Sequence, residues 1–402
     1  MTKKERAILV LLAILNFTHI LDFMIMMPLG NYLMPYFKIS PQQFSFLVAS
    51  YTFSASVSGF AAIFFADGFD RKRLLITAYT GFLLATLACG LAPGYTFLLL
   101  ARIVAGLFGG LIGAQVISII ADMFQYERRG RAMGAVMSAF AVASTVGIPL
   151  GLYLANLISW HAPFIFIAAT GALLIPLLIY YLPAMNKHLQ QGERKKISFE
   201  GFAGILKDKK QYTALIFSGL IMFAHFVIIP FINPYMEFNL GYSKKLTPLI
   251  YLVGGITAFI ASNYLGRLSD KIGKLKIFTV CLLISLPLMF IITNLVTIPY
   301  WIVLVLFGMW FSVATGRGVT SQAMISGVVK PEHRGSFQSF NSSVQQLGSG
   351  LAALVAGFVI TKNADGSIAH YGWLGVIGVA AMLITFFIAR MTFSTVDKKS
   401  IS

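Results

Sequence analysis

The chain has 402 residues, 57% hydrophobic and 11% charged, with a formal net charge of +17 and a mean hydropathy of +0.80. A soluble protein of this length hides so much apolar surface only in an unusually large core, whereas apolar runs of about 20 residues recurring along the whole chain suit bilayer hydrocarbon. The runs are continuous rather than alternating with period two, which favours helices, whose backbone groups bond within the segment, over a barrel.

The predicted spans lie near 7–34, 42–65, 74–92, 96–121, 132–156 and 162–182, then near 212–236, 246–266, 277–295, 299–325, 336–361 and 371–390. The first exceeds a signal's apolar core, lacks a small-residue cleavage site and carries Asp22, so it reads as a retained span. The long polar stretch, 185–211, holds QQGERKK and KDKK and reads as a solvated linker. The expected organisation is an N-terminal six-helix bundle (1–184), a cytoplasmic linker (185–211), a C-terminal six-helix bundle (212–391) and a cytoplasmic tail (392–402).

Placing the N-terminus in the cytoplasm puts most basic residues inside, including 71–73, 128–131, the linker and 267–276. Only Lys38, Lys244, Lys245 and Lys362 fall outside, while Arg102 and Arg317 fall within spans. This bias predicts both termini on the cytoplasmic side. The net charge then reflects a solvated, lipid-facing basic rim and calls for no nucleic acid. Cys89 and Cys281 are expected at different depths, as packing residues without a disulfide or metal-type spacing.

Four landmarks recur at an offset of 203 to 206 residues. Asp67 in FADGFDRKR matches Asp270 in LSDKIGKLK, Arg129-Gly130 matches Arg334-Gly335, and His19 and Pro28 match His225 and Pro234. Parallel halves of this kind belong to transporters whose substrate site lies between two bundles near the bilayer midplane.

Gly266-x-Leu268-Ser269-Asp270-Lys271-x-Gly273-Lys274-x-Lys276 resembles the cytoplasmic loop signature of the major facilitator superfamily. The first copy keeps Asp67, Arg71 and Arg73, with Ile63 and Asp70 where the family has glycines. LLLARIVAG (98–106), with Arg102, resembles the family's fourth-helix signature. Gly147-Ile148-Pro149-Leu150-Gly151 followed by Trp160 resembles the drug-proton antiporter and arabinose-efflux branch, although Ile148 splits the Gly-Pro step. The resemblance implies an all-α fold of twelve helices in two pseudo-symmetric bundles, working by alternating access. It also implies a gating cluster of Asp67, Arg71 and Asp122 that holds the outward-open state, with Gly266, Asp270, Gly273 and Lys274 as its second-half counterpart. Read from the residues alone, these charges also suit simple anchoring of helix ends at the interface.

Polar groups in hydrocarbon are costly and mark function or interhelical contacts. Asp22 is the acid deep in a span. Asn16, His19, Asp22 and Met26 share one helical stripe, as do Gln338, Asn341, Gln345 and Gly348. Facing stripes, with Gln115, His225 and Asn233, would line a central cavity as substrate contacts, or equally serve as glue between helices. Helix geometry places Asp22 about 22 Å from the inner end of its span and Arg102 about 9 Å from the outer end of its own, at similar depth in a core about 30 Å thick. The pair reads as a proton-coupling device or as a static buried ion pair, and Arg317 as a cavity group or a snorkelling one. Gly106, Gly109, Gly110 and Gly113 predict close helix packing.

The expected function is export of a small organic molecule, drug-like or sugar-like, by proton antiport. The alternatives are a proton symporter or facilitator for import, and a non-transporting receptor or assembly factor. No Walker loop and no convergent nucleophile-base set is present, so neither an ATP-driven pump, an enzyme nor a cofactor is expected. The expected partners are a small-molecule substrate, protons and the lipid bilayer, for a monomer in the cell membrane of a bacterium (its inner membrane).

Overall fold

The computed structural model describes residues 2–124, 126–186, 207–329 and 334–398. Twelve of its helices are long and apolar enough to cross a membrane. These are α1 (Lys3–Phe37), α2 (Pro41–Phe65), α3 (Arg71–Gly90), α4 (Tyr95–Ile120), α5 (Ala132–Leu157), α6 (Ala162–Tyr181), α7 (Lys209–Asn239), α8 (Lys244–Ile272), α9 (Lys274–Thr293), α10 (Tyr300–Gly327), α11 (Phe337–Val359) and α12 (Tyr371–Ser394). Each coincides with a predicted span to within a few residues. Residues 187–206, most of the expected linker, lie outside the described residues, and α7 starts before the expected boundary at 212.

An even number of crossings returns α12 to the face where α1 begins, the terminal face. The opposite face carries a short hairpin, β1 (Thr361–Lys362) antiparallel to β2 (Ile368–Ala369), and is the hairpin face. Local chemistry sets several ends. Thr2 and Glu5 form a capping box at α1, and Ser40 and Gln43 form another at α2, where Pro41 costs no hydrogen bond. Large apolar side chains such as Leu84, Phe259 and Phe387 point outward, as lipid-facing positions require.

Two spans are broken near the hairpin face. α1 tightens to a 3₁₀ turn at Met27–Leu29 and α7 does the same at Ile229–Phe231, each around a proline that cannot donate to the helix ladder. The structural equivalent of Pro28 is therefore Pro230, not Pro234 as the constant offset suggested. His19 precedes its break by about two turns and His225 by about one, so the two histidines differ in depth. In α5 the segment Ala143–Gly147 widens to a π turn just ahead of Pro149, where the missing N–H breaks the ladder.

The halves meet along small residues. Ser56 Oγ donates to Ser343 O (2.9 Å), and α2 runs beside α11 from Gly59 against Ser343 to Gly357 against Ser45. α5 meets α8 where Thr145 lies on Gly255. Within the first half, Gly106 and Gly110 of α4 let its backbone approach the carbonyls of Tyr51 and Ala55. A Cβ at Gly109 would meet the Tyr51 hydroxyl at 2.6 Å, whereas Gly113 faces open space.

Candidate functional site

α1 and α4 bring two charged side chains together in the first half. Arg102 Nη1 donates to Asp22 Oδ2 at 2.7 Å, with a longer bond of 3.4 Å to the Asp22 carbonyl. Both residues are completely buried. The guanidinium lies over the Tyr51 ring, 4.4 Å from its centroid. Tyr51 stacks on Phe23 at 5.7 Å, and Thr86 and Cys89 of α3 stand beside the pair. The contacts are incomplete, since Arg102 Nε and the Tyr51 hydroxyl lack hydrogen-bond partners. A buried pair with idle polar atoms has room to change partners. Tyr51 and Thr86 carry no charge or motif to mark them in the sequence; only the fold shows that they touch this pair.

The rest of the α1 stripe turns into its own half. Asn16 Nδ2 donates to Val136 O of α5 at 3.1 Å. His19 packs between Phe82 (centroids 5.5 Å) and Tyr51 (6.5 Å), and neither ring nitrogen has a partner. Met26 is fully buried at the break, and Gln115 of α4 is buried with Oε1 unpaired. The α11 stripe likewise turns into the second half. Gln345 Nε2 donates to Ser218 Oγ of α7 (2.9 Å) and to Gln322 Oε1 of α10 (3.4 Å), and Gln322 Nε2 donates to Gln338 Oε1 (2.8 Å). These contacts do not set the two stripes face to face. Asn341 is fully buried with both amide atoms unpaired.

A second buried cation, Arg317 of α10, lies near Cys281 of α9 and within electrostatic range of His225. It is 4% exposed, so it is not snorkelling to a surface. His225 stacks on Trp310 with centroids 5.1 Å apart and planes 17° from parallel. Asn233 bonds within the cluster of contacts at the hairpin face. Its Nδ2 donates to Pro28 O (2.6 Å), and its Oδ1 accepts from Tyr251 (3.2 Å).

On the terminal face, Arg71 pairs with Asp122 at 2.9 Å within the first half, and Lys274 reaches Asp270 at 3.8 Å within the second. The Asp67 side chain lies outside the described residues. Gly273 joins α8 to α9 with φ +103, a conformation that L side chains rarely adopt. Its first-half counterpart, Asp70, has φ −58 and caps α3 instead, accepting from Arg73 N (2.9 Å) and Met185 N (3.0 Å). The first loop therefore dispenses with the signature glycine because its chain bends through a 3₁₀ turn at Ala66–Gly68. Gly266 of α8 faces Val319 of α10 at ordinary contact distance.

The hairpin face carries a polar cluster across the halves that sequence reading missed. Asn31 Nδ2 of α1 donates to Glu237 Oε2 of α7 (2.6 Å), and Lys244 Nζ of α8 sits 3.3 Å from Glu237 Oε1 and 5.1 Å from the Tyr32 ring centroid. Tyr32 donates to Asn156 Oδ1 of α5 (2.6 Å), and Asn156 Nδ2 donates to Lys244 O (3.4 Å). Each member is a polar residue near a span end, where such residues are commonplace.

Twelve membrane-length helices in two bundles define a multi-pass membrane protein. The family model described as Major Facilitator Superfamily matches residues 12–353, and the chain belongs to that family. It is 24% identical to "Uncharacterized MFS-type transporter YbcL" of Bacillus subtilis (strain 168), over 83% of this chain and 82% of that protein. It is 22% identical to a "Probable sugar efflux transporter" of Helicobacter pylori (strain ATCC 700392 / 26695), over 88% of this chain and 87% of that one. Among solved structures, a D-xylose-proton symporter superposes with a TM-score of 0.75 at 17% identity, covering 95% of this chain and 97% of that one. The fold is thus shared, and small-molecule substrates in a membrane follow from the family.

Proposed function

We propose that this protein exports a small organic molecule, sugar-like or drug-like, in exchange for protons entering the cell. The observation that carries the reading is the Asp22–Arg102 pair, buried in mid-span and joining α1 to α4. Paired with Arg102, the carboxylate is neutralised by the guanidinium; parted from it, the carboxylate is neutral only when protonated. Alternation between the two arrangements picks up a proton on one side and releases it on the other. The sugar efflux relatives support a sugar-like cargo.

The terminal face is the cytoplasmic one in this reading, because the basic loops lie there, and the protein works as a monomer in the bacterial inner membrane. The cross-half contacts at the hairpin face close the outer side in this reading. Asp67, Arg71 and Asp122, with Gly266, Asp270, Gly273 and Lys274, form the opposite gate. Asn16, His19, Met26, Gln115, His225, Asn233, Asn341 and Gln345 are the candidate substrate contacts, with unpaired Asn341 the strongest of them.

The test is transport of labelled sugars and dyes in proteoliposomes with an imposed proton gradient. Asp22→Asn should abolish gradient-driven accumulation while leaving downhill exchange. Accumulation at the wild-type level in that variant overturns the proposal, and the direction of proton-driven movement separates export from import.

A further inference from the structure

The two buried arginines are not equivalent. Among the described residues three charged side chains are buried, the carboxylate of Asp22 and two guanidiniums, and Arg102 takes the carboxylate. Arg317 is 4% exposed, and among the described residues nothing accepts a hydrogen bond from its side chain; its Nε is buried and unpaired. A guanidinium stays charged under all ordinary conditions, so it cannot relieve burial by giving up its proton as a lysine can. It lies ten residues before Gly327, about 15 Å along the helix from the terminal-face end of α10, too deep to reach the bulk water beyond that end. An uncompensated charge there is expensive, and an anion from outside the chain would relieve it.

The neighbourhood suits one. Trp310 lies seven residues before Arg317 on the same face of α10, fully buried, with its indole N–H unbonded. His225, stacked on Trp310 and within electrostatic range of Arg317, has an unpaired Nδ1. Phe226, Phe307 and Phe311 complete apolar walls around these rings. The Arg317 guanidinium and the Trp310 indole N–H are donors without acceptors, and the His225 ring nitrogen beside them can donate as well; together they suit a ligand that brings oxygen lone pairs. A guanidinium fork matches a carboxylate bidentately, which a spherical halide cannot do. The first-half pair is already neutral, so the unmatched charge is a single positive one and selects a monoanion over a phosphate dianion.

We infer that Arg317, His225 and Trp310 form an anion site in the second half that binds the carboxylate of the transported solute. The inference rests on the reading of the chain as a transporter of small organic molecules and makes its cargo an organic acid. Its test needs no gradient, so its failure is distinct from failure of proton coupling.

The purified protein in detergent, carrying Trp301→Phe and Trp373→Phe, retains Trp310 as reporter and distant Trp160 as reference. Its fluorescence is titrated with sodium benzoate and sodium D-glucuronate, against D-glucose and sodium chloride at matched ionic strength. A saturable change with at least one carboxylate and none with glucose or chloride is expected, and it should vanish in Trp310→Phe. Arg317→Gln should weaken binding about 10- to 100-fold, the worth of a charge-assisted hydrogen bond, and Arg317→Lys less than that. No saturation with either carboxylate overturns the inference, as does an unchanged affinity in Arg317→Gln. Equal saturation by chloride overturns it too, since the site then holds an inorganic counter-ion. The wild-type titrations decide the matter even if Arg317→Gln does not fold.

Discussion

Each half buries one arginine beside a cysteine from the neighbouring helix, and the two are handled in opposite ways. Arg102 lies toward the hairpin face with Cys89 and is matched by Asp22 at 2.7 Å. Arg317 lies closer to the terminal face with Cys281 and has no acid against it among the described residues. Repeated architecture therefore does not carry repeated chemistry. The first half matches its charge internally, as the proposed proton coupling requires, and the second leaves its arginine without an acid among the described residues, as the proposed anion site requires. The loops differ in the same spirit, with a capping carboxylate at Asp70 and a glycine at Gly273 making the same turn between helices.

The largest effect expected from breaking this comparison is on stability. Arg102→Ala strands a buried acid and should cost about 3–5 kcal/mol in unfolding measurements in detergent. The double variant Asp22→Asn/Arg102→Gln should recover most of that loss. Arg317→Gln should leave stability unchanged or raise it, because no acid is stranded. Equal losses at the two arginines would erase the distinction.

Next comes the gate. Glu237→Gln removes an ion pair and weakens the bond from Asn31, and should raise the population open at the hairpin face about tenfold. A cysteine introduced at buried Leu29, with Cys89 and Cys281 replaced by alanine, reports this by maleimide labelling. Asp67→Asn or Asp270→Asn should lower the same labelling, because in the proposed gating scheme their cluster holds the outward-open state. Unchanged labelling with full transport would reduce these acids to helix anchors.

The two loops sharpen the comparison on a smaller scale. Gly273→Ala forces a side chain into a positive-φ conformation and should cost about 1–3 kcal/mol, whereas Asp70→Ala loses a cap worth about 1 kcal/mol. Thermal unfolding of both variants checks the order. Smallest of all, Asn341→Ala and Gln345→Ala should change apparent substrate affinity several-fold with membrane insertion intact. A fall in protein level matching the fall in transport would make them packing residues.

Much of this was legible in the chain itself. Twelve apolar runs sufficed to place every span, because a segment in hydrocarbon must satisfy its own backbone and stay apolar for about 20 residues. The same depth reckoning, from 1.5 Å per residue, put Asp22 and Arg102 level, and the fold sets them in contact. The breaks at Pro28 and Pro230 were less legible: the constant offset matched Pro28 to Pro234, since α7 is about one turn shorter than α1 before its break.

Direction around each helix was the part that only tertiary structure decided. Periodicity shows that Asn16, His19 and Asp22 share a face, and likewise Gln338, Asn341 and Gln345, but not which neighbours those faces meet. Packing turned the first stripe toward Tyr51, Phe82 and Val136 and the second toward Ser218 and Gln322, each within its own half. The Asn31–Glu237–Lys244 cluster was invisible for the same reason. Its members are far apart in the chain, and they join only because the broken ends of α1 and α7 cross where two halves close. Composition determines that a segment enters the membrane; which of its polar atoms finds a partner there depends on helix rotation, and that is set by the close fit of small residues between spans.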